Sequence, residues 1–280
     1  MNVLIIASKE DIASMNIRKK MLAHADWREC GIFEDNPVYR RSSPNAQIIL
    51  ATINGIHIMH DFLENAWKGC DAVIIVSRHK SASNRRTLTV HPIGNYGAAD
   101  FGGRAQTLVP AAPALMTEAL RNLRKEAEGM GYAVAFEVTH HGPYMEKPTF
   151  FIEIGSGESA WKDERAATAI ANALFKTLSA PLPYLPICIA IGGGHYAPRQ
   201  TEMALKKKVA FGHMIPDYQI KGASNEELRR KISSAAAATP GCQFAYLDKK
   251  ALGKEIHRIE KILGERGIKR IRGEELEDLP

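Results

Sequence analysis

Four short apolar runs, at residues 3–7, 72–76, 150–154 and 187–191, constrain this chain more than any other feature. Each is rich in β-branched or aromatic side chains, and most are apolar at consecutive positions, the pattern of strands buried on both faces. Between them lie stretches with helical spacing. Across residues 110–129, Leu115, Leu120 and Leu123 share one side, while Arg121, Lys125 and Glu128 oppose them. Strands alternating with helices predict an α/β fold, a mostly parallel sheet with helices on both faces. Asn54-Gly55 between two further apolar runs predicts a hairpin across residues 47–60, which makes the sheet mixed.

The remaining elements follow in order. A strand at 2–7 leads into a helix at about 9–24, with Ser8 as its cap. A short helical piece is expected at 61–67. The central strand at 72–76 ends in Ser77-Arg78-His79-Lys80-Ser81, and a glycine-rich loop of about 30 residues follows. Gly155-Ser156-Gly157 opens a long helix to about residue 178. A helix at 198–207, a short strand at 209–211, and helices near 224–237 and 249–265 complete the chain. With no repeat or linker, residues 1–280 read as one domain.

At 45% hydrophobic and 24% charged, the chain can bury a full core. Cys30, Cys70, Cys188 and Cys242 are far apart, which argues against a zinc knuckle or a disulfide framework. The first apolar run is short and lacks a basic start, and no later run approaches the ~18 residues of a membrane span, so a cytoplasmic location is expected. The formal charge of +6 is unevenly placed: residues 201–273 carry 16 basic and 8 acidic side chains. Such a surplus attracts polyanions such as RNA, although a solvated helical face has the same composition.

Chemistry concentrates between residues 138 and 161. His140 and His141 follow an apolar run containing Val134, Phe136 and Val138; Glu153 lies inside the next run. A second block, Gly192-Gly193-Gly194-His195-Tyr196, follows the run at 187–191, and His213 follows a third. Strand ends bearing histidine, beyond the carboxyl edge of an open sheet, suggest one site. His140, His141, Glu153, His195 and His213 are chemically sufficient to hold a metal ion or to move protons. Neighbours such as His140 and His141 reach a common point only if the chain turns at Gly142-Pro143. Each histidine alone is as well explained by a turn or a loop. A buried Glu153 without a partner, however, would be costly.

Several blocks together, SRHKS (77–81), TVHPIGN (89–95), VTHHGP (138–143), FIEIGSGESAW (151–161) and GGGHYAPR (192–199), resemble the archaeal and plant type of D-aminoacyl-tRNA deacylase. The resemblance covers nearly the whole chain except its last ~50 residues. It implies a phosphorylase/hydrolase-like α/β fold, a zinc (Zn2+) cofactor, and hydrolysis of the ester joining a D-amino acid such as D-tyrosine to tRNA. Zinc held by some of His140, His141, Glu153 and His195 would then activate water. The oxyanion would be met near Gly192 to Gly194. Arg78, His79, Lys80, Asn95, Arg104, Gly193, Gly194 and Tyr196 become candidate substrate contacts, with Arg78, Lys80 and Arg104 near phosphates. Two other readings remain: a zinc peptidase or amidohydrolase would use the same residues, whereas a non-catalytic tRNA-binding protein would explain the charge and leave the clustered histidines idle.

Overall fold

The computed structural model describes residues 1–24, 26–82 and 84–280. Its first half runs β1 (Asn2–Ser8), α1 (Ile12–Ala23), β2 (Arg28–Phe33), β3 (Asn36–Ser42), β4 (Gln47–Ile53), β5 (Ala72–Lys80), β6 (Thr87–Pro92), α2 (Pro113–Glu126), β7 (Ala133–Phe136) and β8 (Thr149–Ser156). The second runs α3 (Glu158–Trp161), α4 (Glu164–Ser179), β9 (Ile187–Ile191), α5 (Pro198–Lys206), β10 (Ala210–Ile215), α6 (Asn225–Ala237), β11 (Phe244–Leu247), α7 (Lys249–Leu252), α8 (Ile256–Glu265) and β12 (Lys269–Ile271).

Eight strands form one sheet in the order β2-β3-β4-β1-β5-β8-β6-β7, and four form a second, β10-β9-β11-β12. The second sheet is wholly parallel. In the first, β4, β1, β5 and β8 are parallel, β2, β3 and β4 are antiparallel, and β6 with β7 runs against β8. The fold is therefore α/β with a mixed, mostly parallel arrangement, as the alternation of runs predicts.

The consecutive apolar runs serve two cores at once. Val3, Ile5 and Ala7 of β1 pack toward α1, α2 and α4, whereas Leu4 and Ile6 pack on the other face with Leu63, Ile93, Val109 and Met145. Each buried aliphatic side chain contributes roughly 1.5–3 kcal/mol, so a strand used on both faces is held from both sides. Short 3-10 turns at His57–Met59 and Leu63–Trp67 cover that second face. The smaller sheet has helices on both faces: Ile189 and Ile191 meet α6 and α8, while Cys188 and Ala190 turn toward the core that includes Ala204 of α5.

Several expected boundaries differ, each for a local reason. No hairpin forms at Asn54-Gly55, because β4 already has β3 on one edge and β1 on the other, leaving the second run nothing to pair with. The hairpin is β2–β3 instead, turning at Glu34 and Asp35 with φ of 47° and 59°. The cap of α1 is Asp11, whose Oδ1 accepts from Ser14 N at 3.0 Å, while Ser8 Oγ donates to the Gly55 carbonyl. The central strand does not end at residue 76, since its backbone pairs with β8 as far as Lys80. Part of the long loop is strand β6, whose partner on β8 was out of sight in a local window. Asp163 caps α4 and so divides the expected long helix in two.

Candidate active site

Strand alternation gathers the chemistry on one face of the large sheet. Along β5, Ile74 and Val76 face the helices while Val73 and Ile75 face the other way, so Ser77 and His79 follow onto that second face. The same parity carries Thr89 and His91 on β6, Glu137 just after β7, and Glu153 on β8. Register completes the convergence: Glu153 lies opposite Ser77 on one side and Thr89 on the other. Because β6 and β7 run against β8, the histidines after β7 arrive over the middle of β8. The site is thus on the sheet face, not beyond a common row of carboxyl ends.

Glu137 is the hub. Its fully buried carboxylate lies 3.2 Å from His79 Nδ1, 2.9 Å from His195 Nε2 and 3.4 Å from His140 Nε2. Glu153 lies 3.6 Å from both His79 Nδ1 and His91 Nε2. Burial would raise both carboxyls, but His195 and His79 at Glu137, and His79 and His91 at Glu153, hold them below the ordinary carboxylate range. Burial alone would lower His79; the two carboxylates beside it raise it to about 11. Burial and the neighbouring imidazoles push His141 down to about 4 and hold His140 well below its usual value.

Ring orientation is fixed by backbone carbonyls. Nδ1 of His91, His140 and His141 lies 3.2, 2.7 and 2.6 Å from the carbonyls of Pro92, Val138 and Gly142. A carbonyl only accepts, so each Nδ1 carries hydrogen and, in the neutral ring, each Nε2 keeps its lone pair. His140 and His141 reach the same side because His141 itself adopts φ of 44°, and their rings stand 4.5 Å apart. The left-handed residue directly precedes the expected turn at Gly142-Pro143, whose peptide bond is cis.

These side chains fit a metal ion. Among the described residues, His91, His140 and His141 form one group with ligand atoms within 4.8 Å of one another, as do His79, Glu137 and His195, and His91, Glu137 and Glu153. Both Glu137 oxygens and His91 Nε2 are buried without a hydrogen bond of acceptable geometry, despite the short contacts. Leaving such groups unpaired is costly, and a cation would satisfy all three. The carbonyl bonds on Nδ1 are the arrangement that orients a metal-ligating histidine.

Of the residues singled out by sequence, His140, His141, Glu153 and His195 meet in this cluster. His79, expected as a substrate contact, is a member of it, with Nε2 3.1 Å from the Tyr196 hydroxyl. Arg78 and Lys80 line the adjoining cavity of about 410 Å³. Others stand elsewhere. Asn95 is buried and donates to the Gly102 and Arg104 carbonyls, a structural role. The Arg104 guanidinium stacks 3.7 Å over the Tyr144 ring. Gly193 and Gly194 do not line the cavity, and the Gly192 N–H is taken by the Ile215 carbonyl. His213 lies inside β10, bonded to Thr139 and Val109, and is a core residue. Gly155-Ser156 is spent on strand pairing, and α3 is too short for an anion site.

Of the members of the cluster, Glu137 is absent from the residues that the sequence singles out, and His91 appears there only within the TVHPIGN block (89–95). The signal for Glu137 was available: Phe136 and Val138 flank it as Ile152 and Ile154 flank Glu153. For the basic C-terminal third, Lys206, Lys207, Lys208, Lys221, Arg229, Arg258 and Arg270 each pair with a carboxylate, so part of the surplus is locally neutralised.

The family model described as D-aminoacyl-tRNA deacylase matches residues 67–271, which contain every residue of the cluster. The chain belongs to the D-aminoacyl-tRNA deacylase family. A deacylase so named from Pyrococcus furiosus is 34% identical over 93% of this chain and 95% of its own length. One from Thermococcus kodakarensis is 35% identical over 94% and 96%. A deacylase from Methanococcoides burtonii is 37% identical over all of this chain, which spans 58% of that longer protein. A crystal structure of a conserved protein of unknown function is similar to this deacylase-family fold at a TM-score of 0.85, with 29% identity, covering 99% of this chain and 96% of that one. No helix among the described residues is long and apolar enough to cross a membrane.

Proposed function

We propose that the protein hydrolyses the ester between a D-amino acid and the 3′ end of tRNA, releasing both, with Zn2+ as its cofactor. The observation that carries this reading is the coincidence of the family match with the buried histidine–carboxylate cluster: residues 67–271 include His79, His91, Glu137, His140, His141, Glu153 and His195. The ligands are drawn from His91, His140 and His141 with Glu137, Glu153 or His195, a set that exchanges part of the expected one for His91 and Glu137. Bound zinc would polarise the ester carbonyl and lower the pKa of water to about 7.

The chain's own groups do the rest. Glu137 orients His195 through Nε2, leaving Nδ1 to move a proton between water and the departing ribose oxygen. His79, placed beside Glu137 and Glu153 through Nδ1 and beside the Tyr196 hydroxyl through Nε2, holds the two carboxylates and Tyr196 in position. Arg78 and Lys80 on the cavity wall suit the terminal phosphates. A substrate that serves translation fits the expected cytoplasmic location.

The experiment is release of tyrosine from D- and L-tyrosyl-tRNA by purified protein, before and after chelation and after zinc is restored. Hydrolysis of the D ester alone, lost with chelator and regained with zinc, is expected. Chelator-resistant hydrolysis would remove zinc from the reading and leave the substrate. Hydrolysis of neither ester by folded, zinc-loaded protein would overturn it.

A further inference from the structure

The cavity has an apolar side that the reaction above does not use. Ile56, Ile58 and Phe101 share its lining with the histidines and with Arg78 and Lys80. Phe101 is 68% exposed, an unusual state for a phenyl ring beside a buried polar cluster. Its backbone is held from several directions. The Gly142 N–H donates to the Phe101 carbonyl at 3.0 Å, and the Asn95 amide donates to the next carbonyl, that of Gly102, at 2.9 Å. Gly102 has φ of +79° and packs so closely that a Cβ there would stand 1.7 Å from the Ile58 carbonyl oxygen. A Cβ on Gly142 would stand 2.3 Å from Gly103 N. Three loops are therefore locked together, and the ring is presented to solvent on a fixed support.

We propose that Phe101, backed by Ile56 and Ile58, is the stacking platform for the 3′-terminal nucleobase of the tRNA. This rests on the deacylase reading and adds to it a subsite outside the reacting cluster. An exposed aromatic face beside cationic side chains is the pairing that single-stranded nucleic-acid ends require: the ring takes the base, and the cations take the phosphate. An amino-acid side chain has no phosphate to match Arg78 and Lys80. The base, moreover, is present whichever D-amino acid is attached. A preformed platform also fits this use, because a rigid support loses little entropy on binding.

The test compares the parent, Phe101→Ala and Phe101→Trp in three measurements. Hydrolysis is followed with D-tyrosyl-tRNA and with D-tyrosine ethyl ester, which lacks a base. Binding of adenosine monophosphate, with ribose 5-phosphate as control, is measured by calorimetry and needs no turnover. Phe101→Ala should lower kcat/KM for the tRNA ester and weaken adenosine monophosphate binding by about 5- to 150-fold, the range of one lost base–aromatic stack. The ethyl ester and ribose 5-phosphate should be unaffected, and Phe101→Trp should restore the parent values. Equal loss on the ethyl ester would mean that the ring holds the amino acid or the fold, and would overturn the proposal. Unchanged nucleotide binding in Phe101→Ala would overturn it too. If the parent binds the nucleotide through Phe101 yet hydrolyses no ester, the platform stands and the deacylase reading fails.

Discussion

His213 sets up a pH dependence of stability whose size follows from its surroundings. The imidazole is fully buried, and its Nε2 lies 2.8 Å from the Val109 carbonyl, so Nε2 carries the hydrogen. Nδ1 lies 3.1 Å from Thr139 Oγ1, which already accepts from Met214 N at 2.9 Å and so donates its own hydrogen to Nδ1. The ring is thus satisfied only when neutral, and burial, against the help of backbone carbonyls, pushes its pKa down from 6.5 to about 4. A depressed folded-state pKa means that the unfolded chain binds the proton first. The contribution is fully present above pH 6.5 and is lost as pH falls toward 4. Linkage gives a loss of about 2 kcal/mol by pH 5 and about 3 kcal/mol by pH 4 from this one group. The variant His213→Gln keeps a donor for Val109 but cannot titrate. It should be less stable at pH 7 by roughly 1–2 kcal/mol. Urea unfolding of both proteins at pH 7, 6 and 5 isolates the residue, because every other titrating group cancels in the difference. The two stabilities should converge as pH falls. A parent-minus-variant difference that stays constant from pH 7 to pH 5 would refute the assignment of a neutral, buried His213.

Other consequences are equally direct. Glu137→Gln removes the charge that three imidazoles share at 2.9–3.4 Å, and turnover of D-tyrosyl-tRNA should fall by about 100-fold or more while circular dichroism stays that of the parent; parent-like turnover would displace Glu137 from the centre of the site. Gly102→Ala forces a Cβ against the Ile58 carbonyl at φ of +79°, so the unfolding midpoint should drop by an amount equivalent to at least ~2 kcal/mol. Asp11→Ala strips His57 Nε2, Arg78 N and Ser14 N of one shared buried acceptor, and a destabilisation of roughly 3 kcal/mol is expected in chemical denaturation. For about four neutralised phosphates, tRNA affinity should weaken roughly 100-fold between 0.05 and 0.2 M salt; a flat response would deny the basic surface a role.

Periodicity and composition decided the strands of the double-sided cores. Ile5, Ile75, Ile152 and Ile189 sit in runs whose apolar content leaves no solvent face, and such runs can be satisfied only between layers. The sequence also held the family signature and the location of most of the cluster, because histidines at strand ends and a carboxylate inside an apolar strand are local facts. Which strands become neighbours is not local. That β6 enters against β8, bringing His91 beside Glu153, depends on pairings 58 to 68 residues apart. That Glu137 is the hub follows from three histidines, from β5, the loop after β7 and the loop after β9, meeting one carboxylate. His213, in contrast, carries the same imidazole as the site residues and is consumed by the core, and the Asn95 amide is spent on loop carbonyls. A side chain's chemistry is written in the chain, but whether its nitrogen faces a carbonyl, a carboxylate or a cavity is fixed only when distant backbone closes around it.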